Sequence, residues 1–194
     1  MFSWILLAAL IGVVLWLIGA YNGLISLKNQ TGNAFKQIDV QLKRRHDLIP
    51  NLVNAVKGAM DFERSTLEAV IQARNQAVKV NATGPEGIKQ ISQAENALSS
   101  ALQRLMVVVE MYPDLKSDQN FRDLQAQLEG TENRITVARN RYIGSVQEYN
   151  VTVRSFPSNL TAMMFGYQAK ANFTVENEAQ ISKPPQVDFT RPKQ

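Results

Sequence analysis

Residues 121–153, FRDLQAQLEGTENRITVARNRYIGSVQEYNVTV, decide how this chain folds. Phe121, Leu124, Leu128, Thr131, Ile135, Ala138, Tyr142, Ser145, Tyr149 and Val153 recur at alternating steps of three and four. That spacing draws one stripe along the side of an α-helix. Phe156-Pro157 closes the pattern. The helix is predicted to exceed 30 residues, about 50 Å at 1.5 Å per residue.

Three further helices precede it. Leu24, Leu27, Thr31, Ala34, Ile38, Leu42 and Arg45 form the first stripe, which is predicted to end near Asp47. Pro50 favours the first turn of a helix over its interior, so a turn at Asp47–Ile49 is expected, with a new helix after it. That second helix would carry Leu52, Val53, Val56, Met60, Leu67, Val70 and Ile71, and end before Asn81-Ala82-Thr83-Gly84-Pro85. The third would carry Ile88, Ile91, Leu98, Leu102, Leu105 and Val109, and stop at Tyr112, because Pro113 disfavours helix in the residue before it. Ser158–Gly166 reads as a short capped helix ended by glycine. The tail 182–194 is too rich in proline for a regular helix and is expected to be extended or disordered.

At the other end, Phe2–Ala20 is an uncharged apolar run, and the first charged side chain is Lys28. The run is long enough to cross a hydrocarbon core of about 30 Å as a helix. Trp4 and Trp16 lie toward its ends and Tyr21 follows, as suits amphipathic rings at an interface. A cleaved signal peptide is the competing reading, but no Lys or Arg precedes the run and Ile18-Gly19-Ala20 is a poor cleavage site. Nothing separates the run from the first stripe. The fold class is therefore all-α, with an N-terminal transmembrane helix continuous with a long antiparallel up-down-up-down four-helix bundle. The chain divides into an anchor over 1–22, a bundle over 23–156, a short membrane-proximal helix and linker over 157–181, and the tail. Lys28, Lys36, Lys43, Arg44 and Arg45 follow the anchor, so the positive-inside rule puts the N-terminus outside and the bundle in the cytoplasm.

The inventory of reactive groups is thin. The 194 residues contain no cysteine and one histidine, His46. Disulfides, thiol nucleophiles and the usual zinc sites are excluded. His46 follows a basic run at the expected helix end, where a solvated or capping imidazole is the simple reading. There is no P-loop, no Gly-x-Gly-x-x-Gly and no Glu-x-x-His pair. No catalytic residue, cofactor or metal ligand is assigned. Basic residues exceed acidic ones by 21 to 17 but are interleaved with them, which argues against a nucleic-acid partner.

Some charges nevertheless fall on the apolar stripes: Arg45, Glu63, Arg74, Glu95, Glu132 and Arg139. Unpaired burial is costly, so these are candidates for a structural polar core with partners or water. Counting helix rise along the four rods puts Glu63, Glu95 and Glu132 at one height, about 20 Å above the membrane end. Three readings stay open: polar positions that set register, a carboxylate layer that binds a cation or shares a proton, and exposure at an oligomer or partner surface. Lys43, Arg44 and Arg45 would lie near the first hairpin, about 35 Å from the bilayer, as a solvated helix end or a partner-docking patch.

Several ordered motifs resemble the LemA family. They are Tyr21-Asn22-x-Leu24, Gln37–Arg45, Asp47–Val53, Glu63 with Ala73-Arg74, Tyr112–Lys116, Glu132–Ile135 with Ala138-Arg139, Tyr149-Asn150, Phe156-Pro157 and the Pro-Pro-x-Val-Asp-Phe ending at Phe189. The resemblance implies a single-pass membrane protein with a helical bundle and no agreed enzymatic activity. Members include magnetosome-membrane proteins, and some are encoded beside HtpX-type membrane metallopeptidases. The expected function is non-enzymatic: scaffolding or assembly in a bacterial cell membrane, with the lipid bilayer and further copies of the chain as partners. An adaptor or regulator of another membrane protein, and a metal-binding bundle, are the alternatives.

Overall fold

The computed structural model describes residues 2–57, 64–80 and 84–173, and every regular element among them is a helix. The elements are α1 (Phe2–Lys57), α2 (Arg64–Lys79), α3 (Gly84–Val109), α4 (Pro113–Ser117), α5 (Gln119–Arg154) and α6 (Ser158–Met164). The expected tail lies outside the described residues, as does Glu63.

The largest departure from expectation is α1. It does not stop near Asp47 but runs through Pro50 to Lys57, 56 residues without a break. Leu52, Val53 and Val56, expected on the second helix, belong to it. Two features explain the continuity. Ile38, Leu42, Arg45, Ile49, Leu52 and Val56 keep the four-three alternation across the proline, so the buried stripe never changes face. Pro50 itself is exposed, on the side away from the core. Its missing N–H leaves the His46 carbonyl, four residues earlier, without its helical donor. Arg74 of α2 supplies a substitute: its Nε donates to the His46 carbonyl at 2.9 Å.

The rods alternate in direction. Ile88 and Ile91, early in α3, pack with Ile38 and Leu42 of α1 and with Ile135 and Ala138 of α5. Leu102 and Leu105, later in α3, pack with Leu52 and Val56 and with Phe121 at the start of α5. Asp118 opens α5 by accepting a hydrogen bond from the Phe121 N–H at 2.8 Å. One stripe position differs from expectation: Val146 is fully buried and Ser145 only partly so.

After α5 the chain turns back beside the foot of the bundle. Gly166, at φ +68°, ends α6 in a conformation that glycine adopts without strain. Residues 167–173 then run antiparallel to α5 as a strap. Tyr149 Oη donates to the Gln168 carbonyl at 3.0 Å, and the Asn150 amide brackets Lys170 by donating to its carbonyl (2.8 Å) and accepting from its N–H (2.7 Å). Tyr142 Oη reaches the Ala171 carbonyl at 3.2 Å, and Phe173 lies edge-on to the Tyr142 ring.

Candidate functional site

The charged stripe residues converge where the two larger apolar clusters meet. Arg45 sits one step above Leu42 and one below Ile49, Glu95 between Ile91 and Leu98, and Glu132 between Leu128 and Ile135. Helix spacing thus brings three rods' charged positions to one level. Arg45 is 4 % exposed and Glu95 2 %. Arg45 Nη1 lies 3.3 Å from Glu95 Oε2 and 3.0 Å from Glu132 Oε2, while Nη2 donates to Ser99 Oγ at 2.8 Å. His46 Nε2 meets Glu95 Oε1 at 2.7 Å. An ionised carboxylate only accepts, so Nε2 is the donor whenever Glu95 is ionised.

His46 is therefore not a solvated helix end. It is buried in the middle of α1, because α1 continues eleven residues beyond it. The basic run is divided for the same reason: Lys43 and Arg44 are exposed, whereas Arg45 points into the core and is not available for docking. The run lies alongside the charged layer, not at a hairpin. Glu132 reaches the layer from its rim, with its side chain 48 % exposed. Arg139 is partly buried one level below. Its Nε finds no hydrogen-bond partner among the described residues, and its guanidinium stacks on Phe173 at 5.6 Å. Burial pulls its pKa below the ordinary arginine value, against the opposing pull of Glu132 and Glu95. Arg74 binds the His46 carbonyl and so acts on α1's backbone rather than on a carboxylate.

The chemistry of this arrangement is mutual neutralisation. Both Glu95 oxygens are engaged, one by imidazole and one by guanidinium. Among the described residues no three His, Cys, Asp or Glu side chains cluster to hold a metal ion. A groove of about 570 Å³ between α1, α3 and α5 opens onto the layer and admits water to Glu132. A second, smaller groove of about 450 Å³ runs along the outer α1–α5 face, where Val40 and Val137 are exposed beside Lys36, Arg134 and Arg141.

The matching family model, LemA family, spans residues 34–189 and so takes in α2 to α6 and α1 from Ala34 onward. This chain belongs to the LemA family. Among relatives of this LemA-family chain, Magnetosome protein MamQ 2 of Paramagnetospirillum magneticum is 24 % identical over 186 residues, covering 85 % of the chain and 68 % of the relative. Magnetosome protein MamQ of Magnetospirillum gryphiswaldense is 24 % identical, covering 82 % and 66 %. Protein LemA of Metamycoplasma hominis is 26 % identical over 146 residues, covering 74 % and 60 %. The chain thus spans about two thirds of the length of these curated relatives. With α1 long and apolar enough to cross a membrane, the LemA chain is a membrane-associated helical protein.

The sequence reading missed three things at this level. It did not find the strap, whose signal was the polar Tyr149-Asn150 pair on an otherwise apolar seam. It did not find Ser99, one position beyond the stripe. Nor did it pair His46 with Glu95, although both lie at the same helical height once α1 is allowed to continue.

Proposed function

We propose that the chain is a non-enzymatic, single-pass membrane scaffold that acts by assembly, with its N-terminus outside and its bundle in the cytoplasm. The observation that carries this is α1 itself. The same unbroken helix supplies the apolar span and one wall of the bundle, about 84 Å at 1.5 Å per residue. A domain on a flexible linker samples many orientations; a domain built on its own span presents its faces at a height and angle that the span sets. The charged layer serves this purpose, because a buried guanidinium that needs two carboxylates from two other helices fits only one register. The outer α1–α5 groove, apolar at its centre and cationic at its edges, is the face such an assembly would use.

Lysine crosslinking with mass spectrometry tests this in native membranes holding mixed isotope-labelled copies. Copy-to-copy crosslinks through Lys36 and Lys43 are expected. Crosslinks confined to one other membrane protein would replace scaffolding with the adaptor reading.

A further inference from the structure

Between Arg154 and Lys170 the chain carries no charged side chain: residues 155–169 read SFPSNLTAMMFGYQA. This run contains α6. Its inner face is accounted for, since Thr161 and Ala162 are buried and Ala162 packs with Leu24, Tyr149 and Val153. Its outer face is not. Leu160, Met163 and Met164 stand at i, i+3 and i+4, so they share one side of the helix. All three are exposed, Met163 and Met164 at 71 % each, and exposed Phe156 and Phe165 flank them. Five large apolar side chains on so short a segment make a contiguous patch that water opposes.

Position within the fold says what covers this patch. The Phe165 ring lies 4.5 Å from that of Tyr21, and the Tyr167 ring 6.3 Å from it. Tyr21 directly follows the apolar run Phe2–Ala20, whose large side chains are themselves uncovered. The outer face of α6 therefore continues the surface that α1 turns toward lipid. Charge agrees. Within 17–36 and 142–173, the two stretches that meet here, the charged residues are Lys28, Lys36, Glu148, Arg154 and Lys170, four basic and one acidic. Lys28 lies 5.4 Å from the Tyr167 ring centroid, and Lys170 5.2 Å from that of Tyr149.

We propose that α6 is a membrane foot. It lies in the interfacial plane of the leaflet from which α1 emerges, with Leu160, Met163, Met164 and Phe165 inserted and Lys28 and Arg154 set against anionic headgroups. The chain thus holds the bilayer at two points, and the bundle cannot swivel freely about its span. A second copy of the chain fits this face less well, because a two-fold contact would bring its cations together. The proposal rests on α1 crossing the bilayer, and the test separates the two.

The chain has no cysteine, so Met164→Cys carries a single nitroxide label without background. Full-length protein is placed in vesicles of phosphatidylcholine and phosphatidylglycerol, with Leu10→Cys and Met111→Cys as reference sites. At Met164 a several-fold excess of oxygen over aqueous-reagent collisions is expected relative to Met111, at a shallower depth than Leu10. Met163→Cys gives the same reading should Met164→Cys not fold. A lipid-like label at Leu10 with a water-like one at Met164 overturns the foot and leaves the span intact. Water-like labels at both overturn the two together. A label at Met164 that is shielded from both reagents and broadened by a neighbouring label places a second copy there and overturns the foot.

Discussion

The passage of α1 through Pro50 yields a double-mutant cycle. The His46 carbonyl lacks its helical donor and takes one from Arg74 Nε at 2.9 Å instead. Arg74→Ala leaves that carbonyl unsatisfied in a half-buried site, at an expected cost of about 1–3 kcal/mol. For a folded region of this size that corresponds to a fall in Tm of roughly 2–12 °C. Pro50→Ala restores an N–H facing the same carbonyl. It should gain helix propensity, up to about 3 kcal/mol less the 0.4–1 that proline contributes by restraining the unfolded chain. In the Pro50→Ala background the carbonyl has its own donor, so Arg74→Ala should cost at least about 1 kcal/mol less than it does alone. The bond from Arg74 to Asn75 is lost in both backgrounds and cancels. The assay is denaturant unfolding of the full chain in lipid nanodiscs, followed by far-ultraviolet circular dichroism. Additivity of the two substitutions within about 0.5 kcal/mol would refute the idea that Arg74 replaces the missing donor.

Glu95→Ala leaves buried His46 without its carboxylate and buried Arg45 with only Ser99 and the half-exposed Glu132, and should cost about 3 kcal/mol, whereas Glu132→Ala should cost no more than about 1. Equal losses in the same unfolding assay would show that Arg45 does not depend on Glu95. Lys170 is held below the ordinary lysine pKa by burial first and by Lys28 second, so the folded state binds its proton less well than the unfolded one. Stability should therefore rise with pH from that depressed value up to about 10.5 and level off above it, and the rise should be absent in Lys170→Met. Burial raises Tyr142 and Tyr149, which sets an opposite, falling limb above about pH 10 in both proteins, so the difference between the two titrations isolates the lysine. A C-terminal reporter should read cytoplasmic, and lysines added before Phe2 should weaken that preference; protease digestion of the bundle from outside intact cells would exclude the proposed orientation.

Most of the architecture could be read from spacing alone, because stripe phase is a direct record of which side of a helix is buried. α3 and α5 were legible in this way, while the apolar start of α1 was legible from its composition and α6 from its closing glycine. The end of α1 was not, because two local signals conflicted. Pro50 marks a boundary by its own conformational preference, while Ile49, Leu52 and Val56 continue the phase of Ile38, Leu42 and Arg45. Phase carries the greater free energy, since each buried aliphatic side chain is worth about 1.5–3 kcal/mol and the proline's main penalty is offset by a donor from another helix. That donor is 28 residues from its acceptor, and nothing local to Pro50 reveals it. The charged layer was partly legible for the same reason. Charges on a stripe show which positions need partners, but only the true length of α1 puts Arg45 and His46 level with Glu95. The strap was illegible because it has no periodicity of its own; it is held by backbone hydrogen bonds to side chains of α5.

An unbroken α1 also turns bilayer thickness into a mechanical variable. An apolar run of fixed length answers a thinner membrane by leaning. Because the portion from Tyr21 to Lys57 leans with it, a tilt of about 20° would carry the far end of the bundle sideways by roughly 18 Å over its 54 Å length. The chain would then act as a lever whose short arm lies in lipid and whose long arm sweeps the aqueous side. Neighbours carried on the long arm would be gathered or spread as the membrane thins or thickens, with no ligand and no change of fold.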